Sequence, residues 1–304
     1  MTPRDTPMLT FAIPFYKNRA YLARAIQSVF AQSTPDWTLL ISDDAGPEGD
    51  LTPWIATLPH ADKIHYTRQP QNLGIAGNWN ACLALARTDL VTLLHADDEL
   101  EPHYAATMLA AAARHPGASV FFCAATIIDA QSRPVFSFPD WYKRWLLPAR
   151  GQEFPVKGEA GLRAVYKGNF IMCPTMCYRR KDLPPTPFDA RWKQVLDLDF
   201  ITRLLFDGRE LIGLPEKCYR YRRHDANQTQ LQSDSLLRFE EERDLYRETA
   251  TQAAAHSWPG ASAMCRRMRI VKFNLLYCSA VDVLRLRFGR AFAKLKFLGK
   301  LIGK

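Results

Sequence analysis

The chain has 304 residues, 47% of them hydrophobic, and a formal net charge of +9. This supports one large α/β domain with an appendage, or two small domains, and excludes bulk disorder. No stretch reaches the roughly 18 uninterrupted apolar residues of a spanning helix, and the seven cysteines are odd in number and scattered, which excludes a disulfide framework and paired zinc spacing and suits reduced cytoplasmic thiols.

The charge is uneven. From Cys265 onward, eleven basic residues face one acid, Asp282, a formal total of about +10. The rest is close to neutral, so a nucleic-acid function for the whole chain loses its support. No N-terminal signal is expected: Met1 to Pro7 is polar, and the apolar run Leu9 to Ile13 ends at Pro14.

In chain order, Leu9 to Ile13 reads as a first strand, followed by the loop Pro14 to Arg19. Leu22, Ile26, Val29 and Phe30 fall at helical spacing. Trp37 to Ser42 is a second strand running into Asp43-Asp44, and Ala45 to Asp50 a loop. Trp54 to Leu58 is helical and Ile64 to Arg68 a third strand. Asn72 to Gly77 is a turn before a helix over Trp79 to Ala86. Leu90 to Leu94 is a buried strand that runs on through His95-Ala96 to Asp97-Asp98. Strands alternating with helices predict a doubly wound, mostly parallel sheet.

Tyr104 to Arg114 is an alanine-rich helix, and Ser119 to Ile128 a strand ending at Asp129. Arg133 to Gly161 reads as a loop region with a short helix, either an acceptor-facing flap or a packed surface insertion. Phe170 to Arg179 is a strand, Leu198 to Phe206 a helix ended by Asp207-Gly208, and Leu211 to Gly213 and Cys218 to Arg222 are two late strands. From Ser235 the chain is helical, with a break near Pro259-Gly260.

In an open α/β sheet, ligands bind outside the carboxyl ends of the strands. Tyr16, Asp44 and Asp97-Asp98 all follow strands there. A ring to stack on a base, a carboxylate to accept from its edge and a carboxylate pair for a hard cation suit a nucleoside diphosphate. Asp97 or Asp98 could equally cap the following helix. No G-x-G-x-x-G or Walker lysine motif is present, so neutralising a pyrophosphate falls to a metal, Mn²⁺ or Mg²⁺. Asp197, opening a later helix, is either a cap or a group positioned to take a proton from an acceptor hydroxyl. Tyr219 to His224 offers basic residues for phosphates, and His224 is a metal ligand or a surface histidine.

Together these segments resemble family 2 glycosyltransferases, inverting enzymes of the GT-A fold. The matching elements are Phe11 to Asn18, Ala25 to Ser33, Ile41 to Asp44, Asn72 to Gly74 with Asn78 to Asn80, and His95 to Asp98. The likeness continues more weakly through Asp197 to Asp199 and Tyr221 to His224. It implies a GT-A catalytic domain over 1–230, Rossmann-like with a mostly parallel sheet flanked by helices, and a helical, basic amphipathic region over 231–304.

By position, the resemblance implies that Tyr16 and Asp44 contact the base, that Asp97 lies by the ribose, that Asp98 holds the metal and that Asp197 is the general base. Pro14 and Arg223 join the donor-site candidates, and His224 the metal-site candidates. The chain departs from the family pattern at two positions: His95 stands where many members carry an acid, and Trp79 where many carry arginine. The implied reaction moves a sugar, with inversion, from a nucleotide-sugar, UDP-linked by family habit, to a hydroxyl of a glycan or lipid-linked acceptor in surface polysaccharide synthesis. The weighed alternatives are a sugar-nucleotide nucleotidyltransferase and a non-catalytic nucleotide-binding membrane adaptor. The basic amphipathic tail is expected on an anionic membrane, on the cytoplasmic face of the inner membrane, or else packed on the body with a solvated basic face.

Overall fold

The computed structural model describes residues 8–137, 141, 145, 147–223 and 236–302. Alternation along the first strand, β1 (Leu9–Phe15), sets the layers. Leu9, Phe11, Ile13 and Phe15 enter one apolar core, and Ala12 enters the other. On the first face lie α1 (Arg19–Phe30), through Leu22, Ala25, Ile26 and Val29, and α4 (Tyr104–Arg114), through Tyr104, Ala105, Met108 and Ala111. On the second lies α3 (Gly74–Leu85), through Ala76, Cys82 and Leu83.

β1 pairs in parallel with β2 (Trp37–Asp43) on one side and with β4 (Leu90–Leu93) on the other, and β2 pairs in parallel with β3 (Ile64–Arg68). The chain therefore leaves β1 in one direction across the sheet and returns on the other side. This switch point opens a crevice at the carboxyl ends of β1 and β4. Between β2 and β3 stands one helical turn, α2 (Thr52–Ile55).

Beyond β4 the sheet is mixed. Among the described residues it has nine strands in the order β3-β2-β1-β4-β8-β6-β9-β5, with β7 on β9. β8 (Met176–Arg179) runs antiparallel to β4 and to β6 (Val120–Ile128). β9 (Leu211–Arg222) is parallel to β6 and antiparallel to β5 (Glu99–Leu100) and β7 (Phe154–Val156). The two late strands expected from the sequence are thus one. Its register on β6 shifts after Leu214, and Pro215, which has no N–H to give the ladder, stands in the shift.

α5 (Gly158–Tyr166) and α6 (Leu196–Phe206) cover the second face. Gly208, at φ 72, ends α6 in the left-handed conformation glycine adopts at little cost. Four helices follow: α7 (Leu237–Ala255), α8 (Pro259–Arg267), α9 (Arg269–Leu284) and α10 (Phe288–Ile302). Phe239, Leu245, Val271, Leu275 and Phe297 join the same core as α3 and α6. Among the described residues no helix is long and apolar enough to cross a membrane.

Candidate active site

The carboxyl edge of β2 carries two acids with different surroundings. Asp43 turns inward: one oxygen accepts from the Gly46 N–H, and the other from the Tyr66 hydroxyl at 2.7 Å and Arg68 Nη1 at 2.6 Å. Asp44 faces the start of α3, where Oδ1 accepts from the Leu73 N–H at 2.6 Å and Oδ2 from the Gly74 N–H at 3.1 Å. A helix N-terminus favours a carboxylate. Burial nevertheless pushes the Asp44 carboxyl above its ordinary range, more than these two donors pull it down.

Tyr16, 45% exposed, leaves the adjacent end of β1. The Asp44 N–H donates to the Phe15 carbonyl at 2.8 Å, and a Cβ at Gly46 would stand 1.8 Å from the Tyr16 carbonyl oxygen. Only glycine permits that approach, which brings the exits of β1 and β2 together. Pro14 lies within β1, opposite Ser42.

The loop after β4 is held from β9. Asp98 is buried; its Oδ1 accepts from the Arg222 N–H at 2.7 Å and its Oδ2 from the Tyr219 hydroxyl at 2.9 Å. The Arg222 side chain, fully buried, donates to the carbonyls of Asp97 at 2.6 Å and Asp129 at 2.7 Å, and to Ser132 Oγ at 3.0 Å and the Glu99 carboxylate. The sequence offers the basic residues of this segment for phosphates. Arg222 instead braces the acidic loop. A signal was present: Arg220 and Arg222 share one face of a strand, opposite the acidic Glu99 and Glu101, and Arg220 pairs with Glu99 at 3.2 Å and with Glu101 at 3.5 Å.

His95, Asp97 and Asp98 each turn a ligand atom to a common point, all within 4.8 Å of one another. The donor set fits a divalent cation. Burial, and then the neighbouring charge of Asp97, drives the Asp98 carboxyl well above its ordinary range, a repulsion that a cation would relieve. Burial pushes the His95 imidazole down, toward the neutral form that can act as a ligand. Its Nδ1 lies 3.9 Å from Asp98 Oδ2, and its buried Nε2 has no hydrogen-bond partner among the described residues. The ring stacks on Trp79, which meets Phe188 edge-on at 4.9 Å, and Phe188 meets Phe200 of α6 at 5.1 Å. This aromatic run links the loop after β4 to the helix that carries Asp197.

Asp197 lies in the first turn of α6, its Oδ1 accepting from the Leu198 N–H at 2.8 Å. Its charge helps to raise the Cys173 thiol and the Tyr178 hydroxyl, after burial, which is the larger cause in both. Cys173 precedes β8, which runs antiparallel to β4, so it stands beside the exit of β4. The charge of Asp197 is thus felt at Cys173, beside the strand end that Asp97 and Asp98 follow. Asp199 points elsewhere, paired with Arg203 at 2.9 Å. Arg223 is exposed, its guanidinium over the Tyr221 ring at 6.0 Å. His224 lies outside the described residues.

A family model described as glycosyl transferase family 2 matches residues 10–183, more than half of the chain. The chain is 25% identical over 107 residues to WcaA of Escherichia coli, named for colanic acid biosynthesis, covering 35% of this chain and 38% of that protein. It is 30% identical over 95 residues to TuaG of Bacillus subtilis, named for teichuronic acid biosynthesis, covering 31% and 37%. The matches thus span about a third of these relatives' length. The fold is similar to that of S. aureus TarS 1-349 in complex with UDP-GlcNAc, with a TM-score of 0.63 at 16% identity over 86% of this chain and 70% of that one.

Proposed function

The chain belongs to glycosyltransferase family 2, and from that premise we propose that it transfers a sugar, with inversion, from a UDP-sugar to a hydroxyl of a glycan or lipid-linked acceptor in surface polysaccharide synthesis. The observation that carries this reading is the convergence of His95, Asp97 and Asp98 beside the exit of β4, next to the β1 and β2 exits that carry Tyr16 and Asp44. Tyr16 stacks on the base, and Asp44, held by the start of α3, accepts from its edge. Pro14 shapes the base site, Asp97 lies by the ribose, and Arg223 reaches the phosphates. A divalent cation, Mn²⁺ or Mg²⁺, held by Asp98, His95 and His224 would supply positive charge to the diphosphate as it departs.

Asp197 takes the proton of the acceptor hydroxyl. The oxygen attacks the anomeric carbon on the face opposite the diphosphate, a C–O bond forms as the bond to the diphosphate breaks, and the configuration inverts. UDP is favoured because a solved structure of similar fold is a complex with UDP-GlcNAc. Residues 1–230 form the catalytic unit, and 231–304 hold it at the cytoplasmic face of the membrane.

The test is thermal stabilisation by UDP-sugars with and without Mn²⁺, followed by UDP release on addition of acceptor glycans. Stabilisation by no nucleotide would overturn the reading. The Trp79–His95 stack favours a second one, a nucleotide-binding adaptor without turnover; binding without release of UDP would select it.

A further inference from the structure

Helices α9 and α10 each bury one stripe and expose another. On α9 the exposed stripe is Phe273, Leu276, Tyr277 and Leu284, and on α10 it is Phe288, Phe292, Leu295 and Ile302. Both follow helical spacing and both run to the turn that joins the helices. At that turn Leu284 is 82% exposed and Leu286 76%. A helix pair packed only on the body would put polar residues there.

The turn is built rather than frayed. Lys294 Nζ reaches Asp282 Oδ2 at 2.5 Å, both side chains buried, and the Arg287 N–H donates to the Asp282 carbonyl at 2.8 Å. Leu286 sits at φ 57, the left-handed region where leucine is strained and glycine or asparagine is not. An apolar side chain is thus kept at a costly backbone position and presented to solvent. Beside it stand the exposed Arg285, Arg287 and Arg290, with the exposed Lys296 and Lys300 farther along α10, and residues 283–302 contain no acid.

We propose that the α9–α10 turn is a preformed wedge that inserts Leu284, Leu286 and Phe288 into an anionic lipid surface, with the surrounding basic residues on the headgroups. Apolar tip and cationic collar are the two components that interfacial binding needs together, since neither alone holds a protein firmly. The proposal deepens the membrane-facing part of the proposed function and is independent of its transfer chemistry.

The experiment is sedimentation of the full chain with vesicles of phosphatidylcholine alone or with about 30% phosphatidylglycerol. The chain should sediment with the anionic vesicles only. The combined variant Leu284→Ser, Leu286→Ser, Phe288→Ser should bind them at least about tenfold more weakly with unchanged helicity by circular dichroism. Leu286→Gly should raise Tm while weakening vesicle binding, a split that a purely structural role would not produce. Equal binding to neutral vesicles, or retained binding by the combined variant, overturns the proposal. So does a dimer by light scattering that the combined variant dissolves, because a second copy would then cover the turn. UDP-GlcNAc thermal shifts on the same samples report separately on the donor site.

Discussion

The ring of Trp79 lies against the imidazole of His95, centroids 5.2 Å apart and planes 30° from parallel. The two residues that the sequence singles out beside the acidic loop are therefore one contact. The stack holds the imidazole, whose Nδ1 is on the side of Asp98. Trp79→Ala and His95→Ala should each weaken Mn²⁺ binding several-fold, with a coupling of about 0.5–1.5 kcal/mol in a double-mutant cycle. Strictly additive effects in calorimetric titrations would show that the contact is incidental.

Asp197→Asn keeps the size of the side chain and an oxygen for the Leu198 N–H but cannot take a proton. Turnover should fall by about 10²–10⁴, with UDP-sugar binding within about twofold of the unaltered protein by thermal shift. Unchanged UDP release would remove Asp197 from the chemistry.

Arg222→Met removes the buried guanidinium and leaves the Glu99 carboxylate and the carbonyls of Asp97 and Asp129 short of a donor. Breaking a buried pair from one side costs about 3–5 kcal/mol. Urea unfolding should show that loss, and Mn²⁺-dependent nucleotide binding should fall with it. A loss under about 1 kcal/mol would mean the loop after β4 supports itself.

Gly46→Ala drives a methyl group into the Tyr16 carbonyl oxygen. Overpacking against backbone should cost about 1–3 kcal/mol and move the Tyr16 and Asp44 exits apart. Nucleotide affinity should drop even without metal, a separation that the Arg222 variant would not give.

Glu153 bridges His115 and Arg114, with 2.7 Å to His115 Nε2. The His115 hydrogen bond, then Arg114, holds its carboxyl below the ordinary value of 4.5. The folded state therefore binds this proton less tightly than the unfolded chain. The contribution is present above that ordinary value and is lost as pH falls through the depressed one. The site is partly exposed, so Glu153→Gln should cost only about 0.5–1 kcal/mol at neutral pH. Between about pH 5 and pH 3 the variant's stability should fall less steeply than the wild type's. Parallel urea midpoints across that range would refute the bridge.

Where hydrophobic period and end signals agree, sequence and structure coincide: Ile64–Arg68 and Tyr104–Arg114 are read with the boundaries observed. Direction is another matter. Met176–Arg179 reads as a buried strand whichever way it runs, and only its neighbours β4 and β6 make it antiparallel. α3 begins at Gly74, earlier than the expected Trp79, because the Asp44 carboxylate from another strand caps its first N–H groups. The acidic residues of the site were visible as residues after strands. The brace made by Arg222 shows in the sequence only as alternating charge, because its partners come from two separate segments, Asp97 with Glu99 and Asp129 with Ser132, and a linear pattern does not show that they meet.

The register shift in β9 constrains how this protein can diverge. From Cys123 to Ala125 on β6 the partners move from Leu214 to Tyr219, so β9 holds three surplus residues. Side chains alternate sides with each residue, so the phase of everything downstream depends on whether that surplus is odd or even. Swapping Glu216 or Lys217 for another residue leaves the phase intact. Deleting either would shift that phase and take the Tyr219 hydroxyl and the Arg222 N–H off Asp98. Substitution is therefore tolerated across this short segment where a single-residue deletion is not, since only the deletion displaces the brace of the acidic loop.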